Sequence, residues 1–212
     1  MKYILTFISA ITLLSGMAYA QNAGPLFPAQ PEPQPKKFDT RTYAPDYCDF
    51  SATFPEEPYI INQCEDPNNK DTCYNLISYT KVFGLSSTVR AEIICNPGSP
   101  ELFEKFSTGV MEATVREMTK DTVSQTFEVK SREEEEYRHT SLFGKGRKGL
   151  QDTIYIAQLW ASKNSIMSVE AEMIGQQSDE ADALFANILG NIGHTETLNQ
   201  PPKEAEGTPK EE

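Results

Sequence analysis

The chain has 212 residues, with 31 Asp or Glu against 19 Lys or Arg, for a formal net charge of −12. So acidic a surface repels nucleic acid and anionic lipid, which excludes both as general partners. The length suits one domain of ordinary size with tails, and no internal repeat divides it.

Residues 1–20 have the build of an export signal. Met1, Lys2 and Tyr3 supply a short positive start, Ile4 to Leu14 is an uncharged apolar run, and Ala18-Tyr19-Ala20 places small side chains where a signal peptidase accepts them. The run is too short for a stable membrane span. Gln21, not Cys, follows the cut, so no lipid anchor is indicated. Cleavage removes only Lys2 among the charges and takes the net charge from −12 to −13. A periplasmic or secreted location follows, with no transmembrane segment after signal cleavage.

Residues 21–45 carry Pro25, Pro28, Pro31, Pro33, Pro35 and Pro45 without a hydrophobic period, which predicts an extended tether. The folded unit is expected over 46–193, and the polar, acidic residues 194–212 are expected to be disordered. Within the unit, Tyr47 to Phe54 reads as a strand ended by Pro55 and Pro58, and Tyr59 to Cys64 as a second. The stretch from Glu65 to Asp71 is rich in turn formers. Thr72 to Phe83 and Thr88 to Cys95 are the next strands, joined near Gly84. Ser99 then caps a helix with Pro100 and Glu101 in its first turn, and an apolar stripe from Leu102 to Met118 carries it to about Lys120.

Four more strands are predicted at Thr122 to Val129, Tyr137 to Phe143, Gln151 to Trp160 and Ser165 to Ile174. A closing helix is capped by Ser178, buries Ala181, Leu184, Phe185, Ile188 and Leu189, and stops at Gly190 or Gly193. Runs of strands joined by short turns give an antiparallel sheet, and two amphipathic helices must dock on it. The fold class is α+β.

In an oxidising compartment Cys48, Cys64, Cys73 and Cys95 are expected to form two disulfides, because no CxxC-type pair or nearby histidine suggests zinc. A turn centred on Asn68-Asn69 sets Cys64 against Cys73 and leaves Cys48 for Cys95, the preferred pairing. A hairpin turning near Gly84 would instead set Cys73 against Cys95. Both connectivities stay open at this point.

Phe50-Ser51-Ala52-Thr53-Phe54-Pro55, followed by Pro58, resembles the opening strand and FP-x-x-P turn of PsbP-like domains. The order of strands and helices over residues 47–192 is similar to theirs as well. The resemblance implies a PsbP-like sandwich with a non-catalytic binding or accessory role. The cysteines depart from that family's pattern.

No catalytic set is visible. His139 lies among polar residues on a predicted strand with no G-x-S-x-G elbow elsewhere, and His194 lies just beyond the last helix. Glu133 to Glu136 lack the spacing and glycine of a calcium loop and read as a solvated hairpin. Trp160 and the methionines read as core. No metal and no cofactor is expected. The one candidate binding element is Gly144-Lys145-Gly146-Arg147-Lys148-Gly149, where glycines could expose backbone N–H groups to an anion and Lys145, Arg147 and Lys148 would supply charge. A glycine-rich connection between strands is its plainer reading. The expected function is a non-catalytic accessory or protein-binding domain of the cell envelope with an envelope protein as partner. The alternative is a periplasmic binder of a small molecule or ion between sheet and helix. No feature of the sequence fixes the oligomeric state.

Overall fold

The computed structural model describes residues 41–198 except 67, 70 and 71. The expected signal peptide, most of the tether and most of the acidic tail lie outside the described residues. Ten strands and four helices follow in the order β1 (Arg41–Tyr43), β2 (Phe50–Phe54), β3 (Tyr59–Cys64), β4 (Cys73–Phe83), β5 (Ser87–Pro97), α1 (Pro100–Lys105), α2 (Thr108–Thr119), β6 (Val123–Glu133), β7 (Tyr137–Lys148), β8 (Gln151–Ser162), β9 (Ser165–Gly175), α3 (Asp179–Gly190), β10 (Ile192–His194) and α4 (Thr195–Leu198). All pairings are antiparallel: a seven-stranded sheet ordered β3-β4-β5-β9-β8-β7-β6, and a three-stranded sheet ordered β1-β2-β10. The fold is α+β.

Side-chain alternation on the long strands explains the layering. On β5, Val89, Ala91, Ile93 and Cys95 face one way and join Val169 and Ala171 of β9, Phe50 and Phe54 of β2, and Leu184 and Ile188 of α3 in one core. The opposite face of β7 and β8 offers Leu142, Tyr155, Ala157 and Leu159 to Phe103 of α1 and to Met111 and Val115 of α2 in a second core. Helices therefore cover both faces of the large sheet, each over only part of its width. Cys48 is bonded to Cys95, which ties the start of β2 to β5, and Cys64 to Cys73, directly opposite in the β3–β4 register.

Several element bounds differ from those expected. The single helix over 99–120 is two helices, broken at Phe106-Ser107. Ser99 caps α1 as expected, its hydroxyl accepting from the Leu102 N–H at 3.2 Å. The break is held from β7: Arg138 Nη1 donates to the carbonyls of Phe103 and Phe106 at 2.8 and 3.3 Å, and its guanidinium lies 4.3 Å from the Phe103 ring centre. The Phe103 carbonyl, which also accepts the Phe106 N–H at 3.0 Å, and the Phe106 carbonyl at the end of α1 thereby gain a charged donor.

Strand β1 lies before residue 46 and fills one of the two edges of β2, with Thr42 and Thr53 hydroxyls 2.9 Å apart. Described elements also continue past residue 193, to Leu198. β10 fills the other edge of β2, His194 stacks on Tyr137 with ring centres 5.0 Å apart, and the Thr195 N–H donates to the Asp49 carbonyl at 2.9 Å. The first strand is shorter than predicted, since a turn closed by Cys48 N–H on the Pro45 carbonyl precedes it.

Candidate functional site

The glycine-rich basic segment is not a loop. Gly144 to Lys148 continue β7, and the chain turns only at Gly149-Leu150, where Gly149 adopts φ +64°. The glycines serve contact between strands. β6 makes two register shifts against this part of β7, and a Cβ on Gly146 would lie 1.8 Å from the Thr122 carbonyl oxygen. A Cβ on Gly144 would lie 2.6 Å from Val123 Cγ1 and 2.8 Å from the Gln125 carbonyl oxygen. Strand alternation then separates the three cations. Lys145 and Arg147 share one face, where Arg147 lies 3.7 Å from Asp152, and Lys148 faces the other way. There it pairs with Glu172, which also meets Arg90 at 3.3 Å. Tyr155 donates its hydroxyl to Glu170 beside them, and burial, followed by that carboxylate, pushes the Tyr155 phenol well above its ordinary pKa. Lys145, Arg147 and Lys148 are thus not brought together around one point.

Nor do the remaining candidates converge. Glu133 pairs with Arg138 at 2.8 Å, Glu134 approaches Arg132 at 3.8 Å, and Glu136 approaches Lys163 at 3.8 Å around the β6–β7 turn. Among the described residues no group of three or more His, Cys, Asp or Glu is placed to hold a metal ion. His139 stacks on Trp160 with ring centres 3.7 Å apart, and its buried Nε2 has no hydrogen-bond partner among the described residues. Burial first, and Arg132 across the β6–β7 ladder second, lower its pKa to about 4.

That shift has a definite sign in stability. Above pH 6.5 His139 is neutral whether the chain is folded or not; between 6.5 and about 4 only the unfolded chain takes the proton, so stability falls as pH falls through this window. In urea unfolding, the wild-type protein is expected to lose about 2 kcal/mol more than His139→Phe between pH 7.5 and pH 4.5. Equal losses would show that the ring is solvated in the folded state.

The concave feature that does form lies on the same face as Lys145. Helix α3 buries Ala181, Leu184, Phe185 and Ile188 over β5 and β9, and twelve residues at 1.5 Å each cannot also roof β7 and β8. Phe143 opposite Ile156, and Ile154 opposite Met173, are left as the floor of a groove whose wall is Phe185 and Leu189 of α3. Its volume is about 1120 Å3. Lys145, Asp152 and Asp182 stand at the rim, and Leu85 and Leu150, on the β4–β5 and β7–β8 turns, project into solvent at its end with 104% and 93% exposure. The apolar floor continues onto β6, where Phe127 meets Phe143 with ring centres 5.2 Å apart and both rings are exposed. Sequence reading passed over this site. Its one local signal was a leucine beside a turn glycine at each tip, Gly84-Leu85 and Gly149-Leu150, positions where polar residues are usual.

No family model matches the chain, and no curated protein matches it. Among solved structures the chain is similar to the solution structure of cyanobacterial PsbP from Synechocystis sp. PCC 6803, at 10% identity over 81% of this chain and 99% of that one, with a TM-score of 0.46. PsbP is the family that the Phe54-Pro55 turn and the element order resemble.

Proposed function

We propose that this protein is an exported, non-catalytic binding domain of the cell envelope that receives an apolar polypeptide segment in the groove between α3 and the β7–β8–β9 end of the sheet. The observation that carries the reading is an apolar surface of half-buried and exposed side chains. A floor of Phe143, Ile154, Ile156 and Met173 runs outward to Phe127 at one side and to Leu85 and Leu150 at the end, too extended for a single small molecule to cover. Two disulfides support an oxidising compartment. No helix among the described residues is long and apolar enough to cross a membrane.

The test is native mass spectrometry of the protein isolated gently from its source cells, beside the variant Phe143→Glu. Phe143 is 37% exposed, so the variant is expected to fold normally. A polypeptide companion should travel with the wild type and be weakened at least ~10-fold in the variant, as for a side chain central to an interface. No companion, or one indifferent to the change, would overturn the reading. The groove proper, apart from its outlying side chains, and Lys145, the one cation that lines it among the described residues, favour a second reading, an amphipathic small molecule with its acid group at Lys145. A reproducible bound low-mass species would establish it in place of the first.

A further inference from the structure

The large sheet ends differently at its two sides. At one side β6 is interrupted by register shifts between Val123 and Gln125 and between Thr126 and Glu128, and it carries Glu128, Lys130 and Arg132. Bulges and charges of this kind blunt an edge against pairing with other strands. At the other side β3 has neither. It pairs with β4 in unbroken register from Tyr59 to Cys64, bears no charge, and leaves Tyr59, Ile60 and Ile61 exposed by 76%, 59% and 44%. The Cys64–Cys73 bond fastens this strand to β4 at its far end.

Ladder alternation identifies the free backbone groups. The Glu65 N–H donates to the Thr72 carbonyl at 3.3 Å, one step beyond the Cys64–Cys73 pair. Bonded and non-bonded pairs alternate in an antiparallel ladder. Tyr59, Ile61 and Gln63 therefore bond to β4, and the N–H and C=O groups of Ile60 and Asn62 face outward, with no strand beside them among the described residues.

We propose that the protein forms a twofold homodimer in which β3 pairs antiparallel with β3 of a second copy, centred on Ile60. This centre sets Ile60 against Ile60 and Tyr59 against Ile61, so the three exposed apolar side chains of each copy meet one another. It also sets Glu57 against Gln63 and Glu56 against Cys64, so no like charges are opposed. Centring on Ile61 would bring Glu57 against Glu65 and Glu56 against Asp66, and centring on Asn62 would set Tyr59 against Glu65. In the Ile60 register the outward groups of Ile60 bond those of its copy, and each Asn62 N–H meets the carbonyl of Pro58. Pro58 has no N–H to return and ends the ladder there.

The chain's own flanking segment is a poor substitute, since residues 21–40 hold Pro25, Pro28, Pro31, Pro33 and Pro35 and cannot supply a regular row of N–H donors. The net charge of −12 opposes association of two copies, so added salt should tighten the dimer.

The test is sedimentation velocity on the protein with both disulfides intact, over a wide concentration range at low and high salt. A monomer–dimer equilibrium that tightens with salt is expected, and Ile60→Lys, which opposes two cations at the twofold, should weaken it ~100-fold or more. Hydrogen exchange of the wild type gives a reading independent of that variant's folding: the Ile60 and Asn62 amides should gain protection as concentration rises, and those of β6 should not. A monomer at every concentration, or a dimer that Ile60→Lys leaves intact, would overturn the proposal. So would protection at Ile60 that is independent of concentration, which would place a segment of the same chain on the edge. Phe143→Glu is expected to leave the dimer unchanged, so this surface and the groove succeed or fail separately.

Discussion

Cys48→Ala/Cys95→Ala is expected to lower the free energy of unfolding by about 4 kcal/mol, the larger of the two disulfide effects. The bond closes a loop with a sequence separation of 47, and loop-closure entropy for that length amounts to ~4 kcal/mol; the separation of 9 between Cys64 and Cys73 corresponds to ~2.7 kcal/mol. The native geometry does not depend on the Cys48–Cys95 bond alone. The Cys48 N–H bonds to Pro45, and Asp49 is held by Ser162 and Ser165, so the small sheet should still dock when the bond is absent. The loss is then mostly a gain of freedom by the unfolded chain. Denaturant unfolding of the two double variants without reductant, at one protein concentration so that any association is common to both, checks the ranking. Equal losses, or a larger loss at Cys64–Cys73, would mean that local packing rather than loop length governs.

Phe50→Ala is expected to cost about 4 kcal/mol, in the range for a fully buried phenylalanine. Phe50 has 0% exposure and is the hub of an aromatic cluster, with ring centres 5.7 Å from Trp160, 5.7 Å from His194 and 6.4 Å from Tyr137. Removing it opens a cavity where β2, β7, β8 and β10 meet, and edge-to-face contacts are lost with the buried area. The near-ultraviolet circular dichroism of Trp160 and Tyr137 should weaken along with stability. Phe127→Ala is the matched control: that ring is 47% exposed on β6 and should cost under ~1 kcal/mol. Similar losses at the two positions would show that the cluster around Phe50 is loosely packed.

Most secondary structure was legible because each element announces itself locally. Ser178, with Asp179 and Glu180 behind it, caps α3, and its hydroxyl accepts from the Ala181 N–H at 3.2 Å. The alternation from Thr88 to Cys95 reads as one strand, and β5 over Ser87–Pro97 contains it with one buried face. Errors arose where a distant residue decides the local outcome. The apolar stripe from Leu102 to Met118 looks like one helix, yet the chain breaks at Phe106-Ser107, where Arg138 of β7 donates to the carbonyls of Phe103 and Phe106. Gly144 and Gly146 look like loop glycines, yet the bulged β6 needs their missing side chains in the middle of a strand. Arg41 to Tyr43 look like tether, yet β2 offers them an unfilled edge.

The sequence by itself determined the acidic charge, the α+β class, the positions of most strands, and the residues that turn inward on each. These depend on propensity, capping and periodicity within a window of a few residues. Only the tertiary structure decided which half of each sheet face the helices cover. That choice leaves Phe143, Ile154 and Ile156 partly open beside α3, while the continuation of β7 through Lys148 sends Lys145 and Lys148 to opposite faces and the strand order leaves β3 at an edge of the sheet among the described residues. Strand order is set by pairings between segments far apart in the chain, β5 with β9 and β2 with β10, and residue periodicity carries no record of them.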